Sequence, residues 1–190
     1  MRINKFLLFV CLAVFAPEAQ AQSTYLWFEP QVAVEKEGEY FGTISFGHQK
    51  SPWVGLFAQT SHGNLWGETA FGPTFAPAEG LSFGVGMGVE HYAPHPIRLR
   101  LNAYYDHVAT GSFLYAQFDT GKDSSWVWLD AVRMYGHVGV GAFVQMPSAG
   151  VGPKVELRFR DHVGVWVAPV YQWQEEKLRL LVGGRIMFEH

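Results

Sequence analysis

In residues 96–107, PIRLRLNAYYDH, the side chains divide between two faces along a period of two residues. Ile97, Leu99, Leu101, Ala103 and Tyr105 fall on one face; Arg98, Arg100, Asn102, Tyr104 and Asp106 fall on the other. That period belongs to an extended strand, because a helix would scatter the same residues around its axis. KVELRFR repeats it, with Val155, Leu157 and Phe159 against Glu156, Arg158 and Arg160. The final run sets Leu178, Leu180, Val182, Ile186 and Phe188 against Arg179, Gly183 and Arg185. A fold built from such strands must place hydrocarbon on one side of a sheet and ionised groups on the other.

The chain has 190 residues and opens MRINKFLLFVCLAVFAPEAQAQS. Arg2 and Lys5, the apolar run 6–16 and the small-x-small site Ala19-Gln20-Ala21 have the grammar of a secretory signal peptide cut before Gln22. The expected organisation is a signal peptide over 1–21 and one domain over 22–190. The apolar run is too short for a membrane helix, which needs roughly 20 residues. The only cysteine, Cys11, lies inside this leader. A cysteine-free exported domain suits the Gram-negative envelope better than a small disulfide-stapled secreted scaffold. Without Arg2, Lys5 and Glu18 the 14 basic and 17 acidic residues become 12 and 16, a mild negative balance that offers nucleic acid no basic surface.

Beyond the leader, runs rich in Val, Phe, Tyr and Trp alternate with Gly, Pro, Asp and Ser. They predict strands near 25–35, 39–49, 53–60, 64–75, 80–92, 96–107, 111–119, 125–135, 137–146, 151–160, 162–173 and 177–188. Twelve is the expected count, with ten or eight as alternatives. A sandwich or soluble barrel would turn the apolar faces inward; a membrane barrel would turn them toward lipid around a polar lumen. Run length separates these, since a tilted strand crosses the hydrocarbon layer in roughly 9–11 residues. Aromatic residues near run ends, at Trp27, Phe28, Trp53, Trp66, Tyr92, Tyr104, Tyr105, Trp126, Trp128, Tyr171 and Trp173, are expected to form interfacial girdles. The polar faces carry arginine and glycine and little lysine, unlike a solvated surface. The expected fold is therefore all-β, a single antiparallel up-and-down transmembrane β-barrel.

The last strand adds a motif. Gly183, Ile186 and Phe188 have the Gly-x-x-apolar-x-aromatic spacing, although Leu181 stands where a polar residue is usual and Glu189 and His190 follow the aromatic. In this the chain resembles small bacterial outer-membrane β-barrel proteins, whose terminal strand carries such a signal for the barrel-assembly machinery. The resemblance implies the outer membrane as location, with its lipid and that machinery as partners.

GLSFGVGMGVEHYA, residues 80–93, puts glycine at 84, 86 and 88 between Phe83, Val85, Met87 and Val89. The spacing is not the G-x-G-x-x-G of a dinucleotide site, and no helix pattern follows to meet a phosphate. Gly139 and Gly141 repeat the alternation in GHVGVGAFVQM. All five are expected to be small positions on the lumen face, leaving room for long side chains. The lumen candidates are Arg98, Arg100, Arg158, Arg160, Arg179 and Arg185, with Glu68, Glu90, Asp106 and Glu156 as their partners. They could set the selectivity of a narrow channel. They could equally fill a narrow barrel with a salt-bridged structural network.

The eight histidines do not form a metal-binding pattern: Pro94 and Pro96 prevent His91 and His95 from sharing a helical face. Asp106 and His107 are neighbours on a strand and point to opposite sides. No catalytic residue, metal or cofactor is expected. The favoured expectation is a narrow channel or structural envelope protein, with a small solute as the conceivable cargo and the oligomeric state open. Two alternatives are a lipid- or lipopolysaccharide-modifying outer-membrane enzyme and a soluble periplasmic barrel that binds a small ligand.

Overall fold

The computed structural model describes residues 25–34, 40–48, 53–61, 64–91, 93–107, 109–122, 124–147, 149–160 and 163–189; 25–30, 40–48, 53–61, 64–66, 160 and 187–189 are described by backbone alone. The expected leader, 1–21, lies outside them. The strands are β1 Tyr25–Val34, β2 Tyr40–His48, β3 Trp53–Ser61, β4 Asn64–Gly72, β5 Thr74–Ala78, β6 Leu81–His91 and β7 Ile97–His107. They continue with β8 Ser112–Thr120, β9 Ser125–Tyr135, β10 Val138–Met146, β11 Gly150–Arg160, β12 Val163–Gln172 and β13 Lys177–Glu189.

All thirteen lie in one antiparallel sheet, with neighbours in chain order. Two further ladders turn the sheet into a ring: β1 pairs with β13 from Tyr25↔Glu189 to Val34↔Leu180, and β4 pairs with β6 from Gly67↔His91 to Phe71↔Met87. Setting β5 aside leaves twelve of the thirteen strands in that ring, each with two partners. Closure removes the sheet edges that lipid could not hydrogen-bond.

The expected run 64–75 divides at Pro73, which has no N–H to give a ladder. β4 leaves its pairing with β6 at Phe71↔Met87, and β5 resumes it at Thr74↔Gly84. Across the break the Val85 N–H donates to the Pro73 carbonyl at 3.2 Å. The described turns at 79–80 and 136–137 have two residues each. Gly136 and Gly80, at φ of 64° and 71°, adopt the left-handed conformation that glycine tolerates best.

The alternation read from the sequence now has a direction. Ile97, Leu99 and Leu101 of β7, Val138 and Val140 of β10, Val155, Leu157 and Phe159 of β11, and Leu178, Leu180 and Val182 of β13 all lie on the exposed outer face. The buried groups face inward, among them Gln31, Glu68, Arg100, Asp119, Asp130, Lys154 and Glu156. Hydrocarbon outside and charge inside is the distribution for lipid; in water it would leave a continuous apolar belt unburied.

One expectation about aromatics is corrected. Trp126 and Trp128, assigned to a girdle, are 5 % and 4 % exposed and belong to the interior, and Tyr104 packs from within against Phe113, Val132 and Met134. The physical reason is phase: Trp126 and Trp128 alternate in step with Asp130, so the face that carries the carboxylate carries both rings. Tyr105, Tyr171 and Trp173 are exposed, Tyr171 and Trp173 meeting edge to face at 6.2 Å. Trp27, Phe28, Trp53, Trp66 and Tyr92 fall outside the residues with described side chains.

The longest connections, 35–39 and 92–96, have five residues. Among the described residues, the groups that face the lumen are the inward side chains of the strands.

Candidate functional site: the charged lumen

Among the described side chains, two ionic clusters occupy the interior. The first is built on β4, β6, β7 and β8. Arg100 Nη2 lies 2.9 Å from Glu68 Oε1, and Arg100 donates from Nε to Asp119 Oδ1 at 2.6 Å and from Nη2 to Asp119 Oδ2 at 3.3 Å. Gln117 Nε2 donates to Asp119 Oδ2 at 2.5 Å, and Tyr115 donates to Gln117 Oε1. Arg98 Nε meets Glu90 Oε2 at 2.9 Å, while its Nη1 donates to the Ser124 carbonyl at 2.7 Å. The planar guanidinium suits such sites because it can satisfy two carboxylates at once.

The glycines of β6 make this cluster possible. The Arg100–Glu68 contact reaches from β7 to β4 over the inward face of β6, the strand between them. A Cβ added to Gly88 would stand 2.6 Å from Glu68 Oε1 and 3.1 Å from the Ala70 side chain. Gly84, Gly86 and Gly88 are all buried, with Phe83, Met87 and Val89 exposed opposite. Gly88→Leu is therefore expected to cost about 1–3 kcal/mol through overpacking. Met87→Leu, on the lipid side, should leave unfolding unchanged. Urea titration of refolded protein separates the two; equal tolerance would mean that the faces are reversed.

The second cluster joins β9, β11 and β13. Lys154 Nζ donates to Asp130 Oδ1 and Oδ2 at 2.9 and 2.7 Å, reaching over β10, and Arg185 Nη2 pairs with the same carboxylate across the lumen. Glu156 Oε1 accepts from Arg158 Nη2 at 2.9 Å, and its Oε2 lies 3.6 Å from Arg185 Nη1 and 3.8 Å from Lys154 Nζ. Arg158 Nη1 also donates to the Gly111 carbonyl in the β7–β8 turn at 2.9 Å. Gly164 sits beside Glu156, where a Cβ would come within 3.2 Å of Oε1.

Aromatic rings line the same wall. Lys154 Nζ stands 4.3 Å from the centre of the Trp166 ring, and Arg185 Cζ 4.1 Å from that of Phe113. Trp166 stacks on Phe143 at 5.3 Å, and Trp128 meets Tyr115 edge to face at 5.5 Å. A cation above a π face gains electrostatic stabilisation that grows as water is excluded.

The sequence candidates thus distribute as follows. Glu68, Arg98, Arg100, Glu156 and Arg185 are buried and Arg158 half-buried, all within the two clusters, which Glu90 joins through Arg98. Arg179 is buried but stands apart, pairing with Glu175 Oε2 at 2.7 Å in the β12–β13 turn. Asp106 is half-buried, and its N–H donates to the Gly80 carbonyl at 2.8 Å. Gly139 is buried and Gly141 half-buried on the inner face. The side chain of Arg160 lies outside the described residues, as does that of Phe188. Gly183 faces inward beneath Trp166, whose ring a Cβ would strike, and Ile186 faces outward.

Sequence reading missed Gln117, Asp119, Asp130 and Lys154. Lys154 shares the two-residue phase of the recognised Glu156, and following that phase would have found it. Gln117, Asp119 and Asp130 lie on β8 and β9, where the sequence reading named no inward residue and took Trp128, which shares the phase of Asp130, for a girdle aromatic.

No protein-family model matches the chain, and no curated protein matches it. Among solved structures, the barrel is similar to "KdgM porin", with a TM-score of 0.60 at 9 % sequence identity, over 85 % of this chain and 99 % of that one. A triple mutant of the Rhodopseudomonas blastica porin aligns with a TM-score of 0.44 at 14 % identity, over 78 % of this chain and 55 % of that one. At such identities the likeness is one of fold: the chain shares the antiparallel β-barrel architecture of that first structure.

Proposed function

We propose that the protein is an outer-membrane channel that passes small solutes through a narrow lumen constricted by the two ionic clusters. The observation that carries this reading is the ionised interior. A barrel that needed only to be filled could use hydrocarbon, because replacing buried ion pairs with well-packed apolar residues is often neutral or stabilising. Six cations and six anions held inside, Arg98, Arg100, Lys154, Arg158, Arg179 and Arg185 with Glu68, Glu90, Asp106, Asp119, Asp130 and Glu156, are better explained by a solute that meets charge on its way through. The likeness in fold to a porin supports the same reading. The pairs close the path at rest, and a solute competes with them for hydrogen bonds. The leader over 1–21 exports the chain, and the barrel-assembly machinery inserts it into outer-membrane lipid through Gly183, Ile186 and Phe188.

The outward apolar belt argues against a soluble periplasmic binder. An enzymatic reading gains nothing from the described histidines: His107 Nδ1 lies by Thr110 Oγ1 at 3.2 Å, and His137 Nδ1 by the Arg158 carbonyl at 3.1 Å. Planar-bilayer recording on refolded protein tests the channel. Discrete conductance steps are expected, and Arg98→Glu with Arg158→Glu should move the reversal potential in a salt gradient toward cation preference. Silence at every voltage and salt concentration would remove the pore and leave a structural envelope protein.

A further inference from the structure

On the outer faces of the strands, Arg133 is the one described side chain that carries a permanent charge. Its direction follows from phase, since Val127, Arg133 and Tyr135 alternate along β9 with the inward Trp128, Asp130 and Val132. The wall around it is hydrocarbon: Leu114 on β8, Val138 and Val140 on β10 and Val155 on β11 are all exposed. No described carboxylate pairs with Arg133; its guanidinium meets the ring of Tyr135, with Cζ 5.4 Å from the ring centre. A charge on the lipid face is costly at the mid-plane of the bilayer and tolerated near the interface. Arg133 stands two residues from the end of its strand, and the exposed Tyr135 is the last residue of it. The guanidinium therefore reaches headgroup depth along an aromatic ring of the kind that settles there.

The neighbouring strand supplies hydroxyls at the same level. β8 and β9 pair from Thr120↔Ser125 to Phe113↔Val132, and continuing that register by one residue sets Ser112 opposite Arg133. Met134, next in the chain, donates its N–H to Ser112 Oγ at 3.0 Å, and Thr110 Oγ1 donates to the same oxygen at 2.8 Å. Ser112 Oγ thus accepts twice, and its own proton is left for a further acceptor. Thr110 Oγ1 also lies 3.2 Å from His107 Nδ1. A guanidinium fork, a hydroxyl donor and an imidazole gathered at one edge of a hydrocarbon wall form a donor set suited to an anion at the membrane surface. The turns identify which surface. The two-residue turns 79–80 and 136–137 lie at this end of the barrel with Tyr25 and Glu189, and the five-residue connections 35–39 and 92–96 lie at the other. Membrane barrels direct their short turns to the periplasm.

We propose that Arg133 and Ser112 bind the phosphate of an anionic glycerophospholipid in the periplasm-facing leaflet, with Tyr135 holding the guanidinium at headgroup depth. The guanidinium offers two parallel N–H donors to two phosphate oxygens, a geometry that a lysine ammonium does not have. The acyl chains lie along Leu114, Val138 and Val140, which are already exposed, so the site needs no cavity. That hydrocarbon beside the donors is what selects lipid over free phosphate. With no described carboxylate at Arg133 to receive an ammonium, a net anionic headgroup fits better than a zwitterionic one. The inference rests on the outer face alone and does not require conduction.

The test uses the folded full chain in detergent micelles, titrated with phosphatidylglycerol or phosphatidylcholine and read by native mass spectrometry. Wild-type protein should retain phosphatidylglycerol in preference. Arg133→Ala should weaken that retention roughly fivefold, the usual worth of one basic residue at an anionic surface, and leave phosphatidylcholine unchanged. Arg133→Lys, which keeps the charge and loses the fork, should recover only part of the loss. Lys177→Ala removes an exposed cation at the opposite end of the barrel and should change neither lipid. Heat-modifiable migration establishes that each variant is folded. Equal retention of the two lipids by wild type would overturn the proposal, as would undiminished phosphatidylglycerol retention in Arg133→Ala or an equal loss in Lys177→Ala. Full recovery in Arg133→Lys would reduce Arg133 to a charged anchor, and displacement of the lipid by inorganic phosphate would leave an anion site without lipid selectivity; either result refutes the site as proposed.

Discussion

Asp130→Ala is expected to destabilise the barrel by about 3–5 kcal/mol, the usual consequence of removing one partner from a buried ion pair. Asp130 holds Lys154 through both carboxylate oxygens and Arg185 through one of them. Without it, two buried cations share Glu156, which already serves Arg158. Part of the loss should return in Asp130→Leu with Lys154→Met, where neither charge remains to be solvated. The midpoint of urea unfolding, followed by heat-modifiable gel migration, measures both variants. A single variant as stable as wild type would show that water reaches this cluster freely.

Trp166→Ala should have an effect of similar size, about 3–5 kcal/mol for a large buried aromatic. It removes the ring that stacks on Phe143, carries Lys154 at 4.3 Å and lies over Gly183. The contact with Gly183 gives the prediction its sharper form. Gly183→Ala drives a methyl into the indole and should destabilise wild-type protein, yet be nearly neutral once Trp166 is alanine. A double-mutant cycle reads this coupling, and additive losses would place the ring elsewhere. In the channel proposed above, unit conductance should also rise in Trp166→Ala, because the ring is buried on the inner face of β12. Gly183 thus has a packing role besides the assembly signal proposed for it.

The architecture was legible because its cause is local. The alternation in PIRLRLNAYYDH sorts Leu99 from Arg100 without reference to any other strand, and β7 places them on opposite faces of the wall. Direction was legible through strand length and the polar-face chemistry. Partnership was not. Arg100 meets Glu68 across an intervening strand, and Arg185 meets Asp130 across the lumen; neither separation leaves a mark on a single sequence. Interior tryptophan misled for a related reason. An aromatic near a strand end reads as an interfacial anchor, and only the phase shared with Asp130 shows that Trp128 turns inward. The break at Pro73 was visible as a proline, but the continuation through Thr74–Ala78 depends on β6 being there to pair with it.

The ladder between β1 and β13 has a consequence for the order of folding. The other ring contacts join strands that follow one another along the chain, or in the case of β4 and β6 are separated by β5 alone, and such local pairings can form as soon as both strands are present. Closure alone must bring Val34 to Leu180 and Tyr25 to Glu189, and that long loop carries its entropic cost until the final pairing. Before that step β1 and β13 are both open edges with exposed apolar faces, the state in which strands pair with the wrong neighbour. Kinetic vulnerability is therefore concentrated at one seam. Substitutions in the β1–β13 ladder should slow acquisition of the native barrel more than equally destabilising changes in any hairpin, a difference that timed refolding into lipid vesicles would resolve.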